Sequence, residues 1–229
     1  MGLVDGFAPS TSGFRFPNSF PHVPVRTIGV PGVISVPIGD ASNGLCGGMV
    51  FAARDYFEAQ RAAPADTTPP SEGPLFDYLV DRLFDSFSLP RGPARYLALM
   101  NPLLPDGETF WSRLGFMPHG RSWQMVRDEW PKIRGDIDAG HPSPIGLITV
   151  KSTDPLDLKH DHQVLVFGYD LDGDAVTLRV YDPNQAGRDD VTLHFATGDP
   201  STSQMLAVTP AGPPVLAFFR VAYLPATPP

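Results

Sequence analysis

The sequence predicts an α+β fold in which a helical region packs against an antiparallel sheet. Through the middle third of the chain, apolar residues recur at spacings of three and four, which is typical of amphipathic helices. After Gly140 the pattern changes to short runs rich in β-branched and aromatic residues, separated by turn residues, which indicates strands. Helices and strands that are segregated along the chain favour an α+β architecture over an alternating α/β one.

The segment before Cys46 is predicted to be extended. Phe14 and Phe16 alternate with polar neighbours, and residues 23–36 are rich in Val and Ile but are interrupted by proline and glycine. Proline removes a backbone donor and glycine weakens regular structure, so we expect short strands here.

The first helix is predicted over residues 46–61. Its apolar face is formed by Cys46, Val50, Ala53 and Phe57. These spacings place the thiol at the N-terminal end of a buried face, so this helix is expected to be central to the fold.

Two further helices are predicted before the sheet. Residues 74–87 show the helical period, and Pro74 suits the first helical position because its missing N–H is not needed there. Residues 123–137 show the same period until Gly140 ends it, although Pro131 must kink or restart this helix.

The last third is expected to form an antiparallel sheet. The predicted strands are 144–150, 163–169, 175–181, 190–195 and 214–224. Residues 1–229 are therefore predicted to form one domain. A helical lobe covers about 41–140, a sheet lobe covers about 1–40 plus 141–224, and 225–229 is a frayed tail.

Composition excludes several classes of function. The chain has 229 residues, of which 42% are hydrophobic, and a formal net charge of -8, with no cluster of Lys or Arg. That balance argues against a nucleic-acid partner. The sequence shows no signal peptide and no apolar run long enough for a membrane span, so we expect a cytoplasmic protein with no membrane partner.

Cys46 is the only cysteine, and it lies where a glycine-rich turn meets the first predicted helix. Unpaired N–H groups and the helix dipole stabilise an anion at that position, which favours a nucleophilic thiolate. We expect the neighbouring Gly44, Gly47 and Gly48 to let a substrate carbonyl approach the backbone.

A nucleophilic cysteine needs a histidine nearby, and His162 at the start of a predicted strand offers one. A three-residue hairpin loop ending in Gly173 places His162 opposite Asp182, whereas a two-residue turn places it opposite Pro183. We favour the first register, in which Asp182 orients the ring, because a carboxylate stabilises an imidazolium better than an amide does. Asn184 is the alternative orienting residue.

Three motifs carry a resemblance to a known family: Gly44–Met49, His162–Tyr169 and Val180–Asn184. Their order and context resemble the papain-like cysteine peptidases, in particular the double-glycine-leader peptidases. The resemblance implies a papain-like fold, no cofactor, and hydrolysis of a peptide or amide bond in a peptide or protein substrate. The roles it implies are nucleophile for Cys46, base and acid for His162, and orienting group for Asp182.

The chain departs from that family at the second oxyanion donor. Such enzymes usually place a glutamine about six residues before the cysteine, but Asp40 stands there. Ser42, Asn43 and Asn18 are the candidate replacements, and losing one such donor lowers kcat by about 10² to 10³.

Two other functions therefore remain open: acyl transfer to an amine by the same residues, as in a transglutaminase, and a catalytically degenerate binding module.

His160 and His162 share a strand face and could form a metal pair, but no further His or Cys clusters with them, so we expect no metal site. The acidic residues 170–174 are expected to form a polar turn.

Overall fold

A computed structural model describes residues 1–22, 41, 44–87, 91–204, 206–210 and 212–229. Within them the chain combines helices with an antiparallel sheet, which confirms the predicted α+β class. The extended segment predicted at 23–36 lies outside the described residues.

The described α-helices all end before residue 140 in the chain. They are α1 Pro9–Ser12, α2 Cys46–Glu58, α3 Pro74–Ser86, α4 Arg91–Met100, α5 Phe110–Arg113, α6 Arg121–Trp123 and α7 Trp130–Asp138. The first two predicted helices correspond to α2 and α3. Among the described helices, none is both long and apolar enough to cross a membrane.

The third predicted helix is interrupted. A π-helical segment, Gln124–Glu129, separates α6 from α7. Pro131 then lies in the first turn of α7, where no N–H is needed for the helical ladder. The proline therefore restarts the helix, which was one of the two expected outcomes.

The sheet contains the histidine-bearing strand near its centre. Its strands are β1 Gly2–Leu3, β2 Ser143–Ile148, β3 His162–Asp172, β4 Ala175–Tyr181, β5 Thr192–Ala196, β6 Leu206–Thr209, β7 Pro214–Val215 and β8 Ala217–Arg220. The described order is β7-β6-β5-β4-β3-β2-β8, and β1 pairs with β3. Phe14 and Phe16, predicted in strands, lie outside the strands, but both are fully buried in the core.

The hairpin of β3 and β4 differs from both predicted registers. Its turn contains only residues 173–174, and a bulge at residues 166–168 shifts the pairing by one residue. The pairing of these strands ends with Leu165 opposite Tyr181, so His162 lies beyond it. Both predicted registers are wrong because the turn lies at residues 173–174 and not at 171–173 or 172–173. The bulge then shifts the pairing by one residue beyond it.

Helix α2 is buried between α3 and the sheet. Residues 47–56 are all buried, as expected of a helix covered on every side. A Cβ at Gly48 would collide with the backbone carbonyl of Leu79, and one at Gly47 would collide with the Ser86 hydroxyl. These two glycines therefore allow α2 and α3 to approach closely, and the prediction that they admit a substrate carbonyl is wrong for both.

The C-terminal residues 225–229 are held against the helices, so the prediction of a frayed tail is wrong. The backbone N–H of Ala226 donates to Asp55 at 3.0 Å, and Arg61 donates to the backbone oxygens of the last two residues. Asp55 is 2% exposed, and a buried carboxylate needs donors, which the tail helps to supply.

Candidate active site

The thiol lies at the first residue of α2. Cys46 is partly exposed, and the preceding residue, Leu45, is the helix N-cap, with no side-chain cap of its own. The backbone N–H groups of the first helical turn lack intrahelical acceptors, so this end of α2 favours a negative charge.

The imidazole of His162 connects the thiol to a carboxylate. His162 Nε2 lies 2.7 Å from Asp182 Oδ1, and the two side chains are only 12% and 5% exposed. The ring also interacts with the Cys46 side chain. Because Asp182 occupies Nε2, the other nitrogen, Nδ1, is the one left for the thiol.

These contacts change the pKa values of both ionisable partners. Burial lowers the pKa of His162, but hydrogen bonds to Asp182 and Cys46, together with their charges, outweigh it and raise the pKa from 6.5 to about 10. Burial raises the pKa of Asp182, yet its bond to His162 and its other hydrogen bonds hold that pKa below 3.8. At neutral pH the ring is therefore protonated and the carboxylate is ionised.

Asp182 is itself held in place by the turn that follows it. Its Oδ1 accepts the backbone N–H of Asn184 at 2.8 Å, and its Oδ2 accepts the Gln185 side-chain amide at 3.3 Å. Asn184, the alternative orienting residue, thus contacts the carboxylate through its backbone. Its side-chain oxygen accepts a hydrogen bond from Asn18.

Asn18 bridges the two halves of the site. Its Oδ1 accepts the backbone N–H of Leu45 at 2.6 Å, its Nδ2 donates to Asn184 at 3.2 Å, and its backbone N–H donates to the Pro183 carbonyl at 2.9 Å. An amide nitrogen carries two hydrogens, so the second N–H of Asn18 is the one that an oxyanion could use. The other candidates, Ser42 and Asn43, lie outside the described residues.

A buried polar group, which no sequence motif indicates, lies beneath the start of α2. Gln163 is 3% exposed, its Nε2 lies 3.3 Å from the Ser86 hydroxyl, and its buried Oε1 has no hydrogen-bond partner among the described residues. Burial, and then the charges of Cys46 and Asp161, raise the pKa of Tyr96 well above 10, so its hydroxyl stays neutral. These residues come from β3, α3 and α4, and no spacing in the sequence indicates that they meet.

The residues flanking His162 on its N-terminal side point elsewhere. His160 is about half exposed and lies 3.8 Å from Asp157, so it does not share the contact of His162 with Asp182. Asp161 accepts the backbone N–H of Thr149 at 2.9 Å. Within the described segments, no three His, Cys, Asp or Glu side chains are grouped so as to hold a metal ion.

No protein-family model, curated protein or solved structure matches this chain. Its function must therefore be inferred from the chemistry of these residues.

Proposed function

We propose that this chain is a thiol-dependent hydrolase of peptide or amide bonds, with a papain-like arrangement of its reactive groups. The observation that carries the proposal is the His162 ring, which interacts with the Cys46 side chain and is hydrogen bonded to Asp182. A helix-start thiol, an imidazole and a carboxylate in this order form the constellation that activates a nucleophile.

The reaction begins with attack of the Cys46 thiolate on the substrate carbonyl carbon, which forms a tetrahedral oxyanion. The backbone N–H of Cys46 supplies one donor to that oxyanion. The protonated His162 then gives its Nδ1 proton to the leaving amine as the C–N bond breaks, leaving a thioester. The neutral ring next takes a proton from water, whose oxygen attacks the thioester, and the acid product leaves as the thiolate re-forms.

The test compares the intact chain with Cys46→Ala and Cys46→Ser. Iodoacetamide should label the intact chain at one site, and hydrolysis of a mixed peptide library should stop in both variants while their far-UV circular dichroism stays unchanged. An added primary amine distinguishes acyl transfer, because amide products would then replace acids. Hydrolysis that persists in Cys46→Ala would refute the proposal.

A binding module without catalysis is the second candidate, and one observation favours it. Asn18, the one oxyanion candidate among the described residues, already uses one side-chain N–H and its Oδ1 in the bridge to Asn184 and Leu45. If the chain is such a module, Cys46 should still be alkylated, but no peptide in the library should be cleaved.

A further inference from the structure

A cavity lies beside α4, α7 and β8. The cavity has a volume of about 450 Å³, within the range of roughly 300 to 1,000 Å³ that is usual for small-molecule sites. Two of its lining residues, Ser86 and Tyr96, also belong to the polar group beneath Cys46. The cavity therefore lies close to the start of α2, but the described residues that line it do not include Cys46, His162 or Asp182.

Cationic side chains converge on this cavity, although the chain as a whole is acidic. Arg95, Lys132 and Arg220 line it together with one carboxylate, Glu129. Glu129 Oε1 accepts from Arg95 at 3.0 Å and from Lys132 at 3.2 Å. Because these two cations share one carboxylate oxygen, their combined charge exceeds what Glu129 neutralises.

The third cation, Arg220, is already paired with a carboxylate. Arg220 makes two bonds to Asp136, at 2.6 and 3.0 Å, and its backbone N–H donates to Glu129 Oε2 at 3.0 Å. Among the described residues, these three cationic side chains are paired with two carboxylates, Glu129 and Asp136, so the positive charges outnumber the negative ones by one. Lys132 is the most exposed of the three cationic side chains, at 54%, and its contact with Glu129 is the longest of their ion pairs, at 3.2 Å.

The remaining wall is apolar. Phe219 is buried, and its ring meets that of Tyr96 edge to face, with centroids 4.7 Å apart. Val221 is also buried and extends this surface. An apolar wall beside a cationic rim fits a ligand with the same two parts, because the wall excludes water and the rim fixes the charged end.

We propose that this cavity binds a small organic anion, a carboxylate attached to an apolar or aromatic group. The carboxylate is placed at Lys132 and Arg95, and the apolar group lies against Phe219. Arg95 Nη1 donates to Gln124 Oε1 at 2.9 Å and Nη2 donates to Glu129 Oε1 at 3.0 Å, so each nitrogen keeps one further N–H that a planar carboxylate can accept. Binding here needs neither the thiol nor hydrolysis, so it can fail or succeed independently of the proposed enzymatic function.

The test is isothermal titration calorimetry of the intact chain with benzoate, compared with benzyl alcohol and inorganic phosphate. We expect saturable binding of benzoate that weakens with salt, with much weaker binding of the alcohol, which lacks the charge, and of phosphate, which lacks the apolar group. Equal binding of benzoate and benzyl alcohol, or no saturable heat with millimolar benzoate, would overturn the assignment.

Two variants on α7 provide a matched comparison. Lys132→Gln and Arg134→Gln each remove one positive charge from a half-exposed position, but only Lys132 lines the cavity. Lys132→Gln should weaken benzoate binding by about tenfold, as expected for a lost bond to a charged group, and Arg134→Gln should leave it unchanged. Equal loss in both variants would mean that only overall charge matters and would refute the site.

Discussion

Replacement of Asp182 by Asn tests the electrostatics of the candidate site most directly. The substitution keeps the shape of the side chain but removes the charge that faces His162 Nε2 at 2.7 Å. A hydrogen bond to a charged group is worth about 1.5 to 3 kcal/mol, and one pKa unit corresponds to about 1.4 kcal/mol. We therefore expect the pKa of His162, raised to about 10 in the intact chain, to fall by about one to two units.

The pKa shift can be measured by NMR titration of the imidazole nitrogens in ¹⁵N-labelled protein. In a hydrolysis assay the same variant should lose about 10² to 10⁴ in kcat, because the ring loses both its orientation and the charge that stabilises its protonated form. Circular dichroism should be unchanged.

Asn184→Ala is the matched control. Asn184 reaches Asp182 through its backbone N–H, which alanine retains, and its side chain contacts Asn18 instead of the ring. Its imidazole titration should therefore match that of the intact chain. A His162 titration that is identical in Asp182→Asn and the intact chain, or one that shifts only in Asn184→Ala, would refute the assigned role of the carboxylate.

Three further predictions concern stability, each measured by urea denaturation. Asp55→Ala should destabilise the fold by about 3 to 5 kcal/mol, because it leaves the 2%-exposed Arg82 without its buried partner. Its control is Asp85→Ala, which removes the half-exposed partner of Arg82 and should cost under about 1 kcal/mol. Burial raises the pKa of Asp161 from 3.8 to about 7, so its folded form binds the proton more tightly than the unfolded chain. The intact chain should thus lose stability relative to Asp161→Asn as pH rises between these values. Gly44→Ala should cost about 1 to 3 kcal/mol, because φ there is +92° and the added Cβ would crowd a neighbouring side chain.

The helices show how far apolar periodicity can predict this fold. Helices α2 and α3 follow from the spacing of apolar residues, and Pro74 marks the start of α3. Helix α4 was missed because it begins Arg91-Gly92-Pro93, and glycine and proline together suggest a break. In the first turn of a helix, however, the missing N–H of proline is not required.

The candidate site shows a different limit of prediction from the sequence. Residue chemistry alone selects Asp182 over Asn184 as the partner of His162, and the structure brings the Asp182 carboxylate to the ring. The register that supported the same choice is wrong, because the turn lies at residues 173–174 instead of 171–173, and Asp182 reaches the ring from beyond the last paired residues. The chemistry of the side chains therefore predicts the contact between His162 and Asp182, whereas the predicted strand register does not.

Asn18 shows how distant segments of the candidate site are held together. The proposed mechanism requires nucleophile and base to be placed to within about 0.5 Å, and such precision requires support from neighbouring residues. Asn18 joins the N-cap of the cysteine helix to the turn that carries Asp182, through three hydrogen bonds of 2.6 to 3.2 Å. The missing Cβ of Gly44 leaves room for that side chain, since a Cβ there would approach Asn18 Nδ2 to 2.6 Å, and glycine also tolerates the φ of +92°. The glycine before the cysteine therefore serves the positioning of the site.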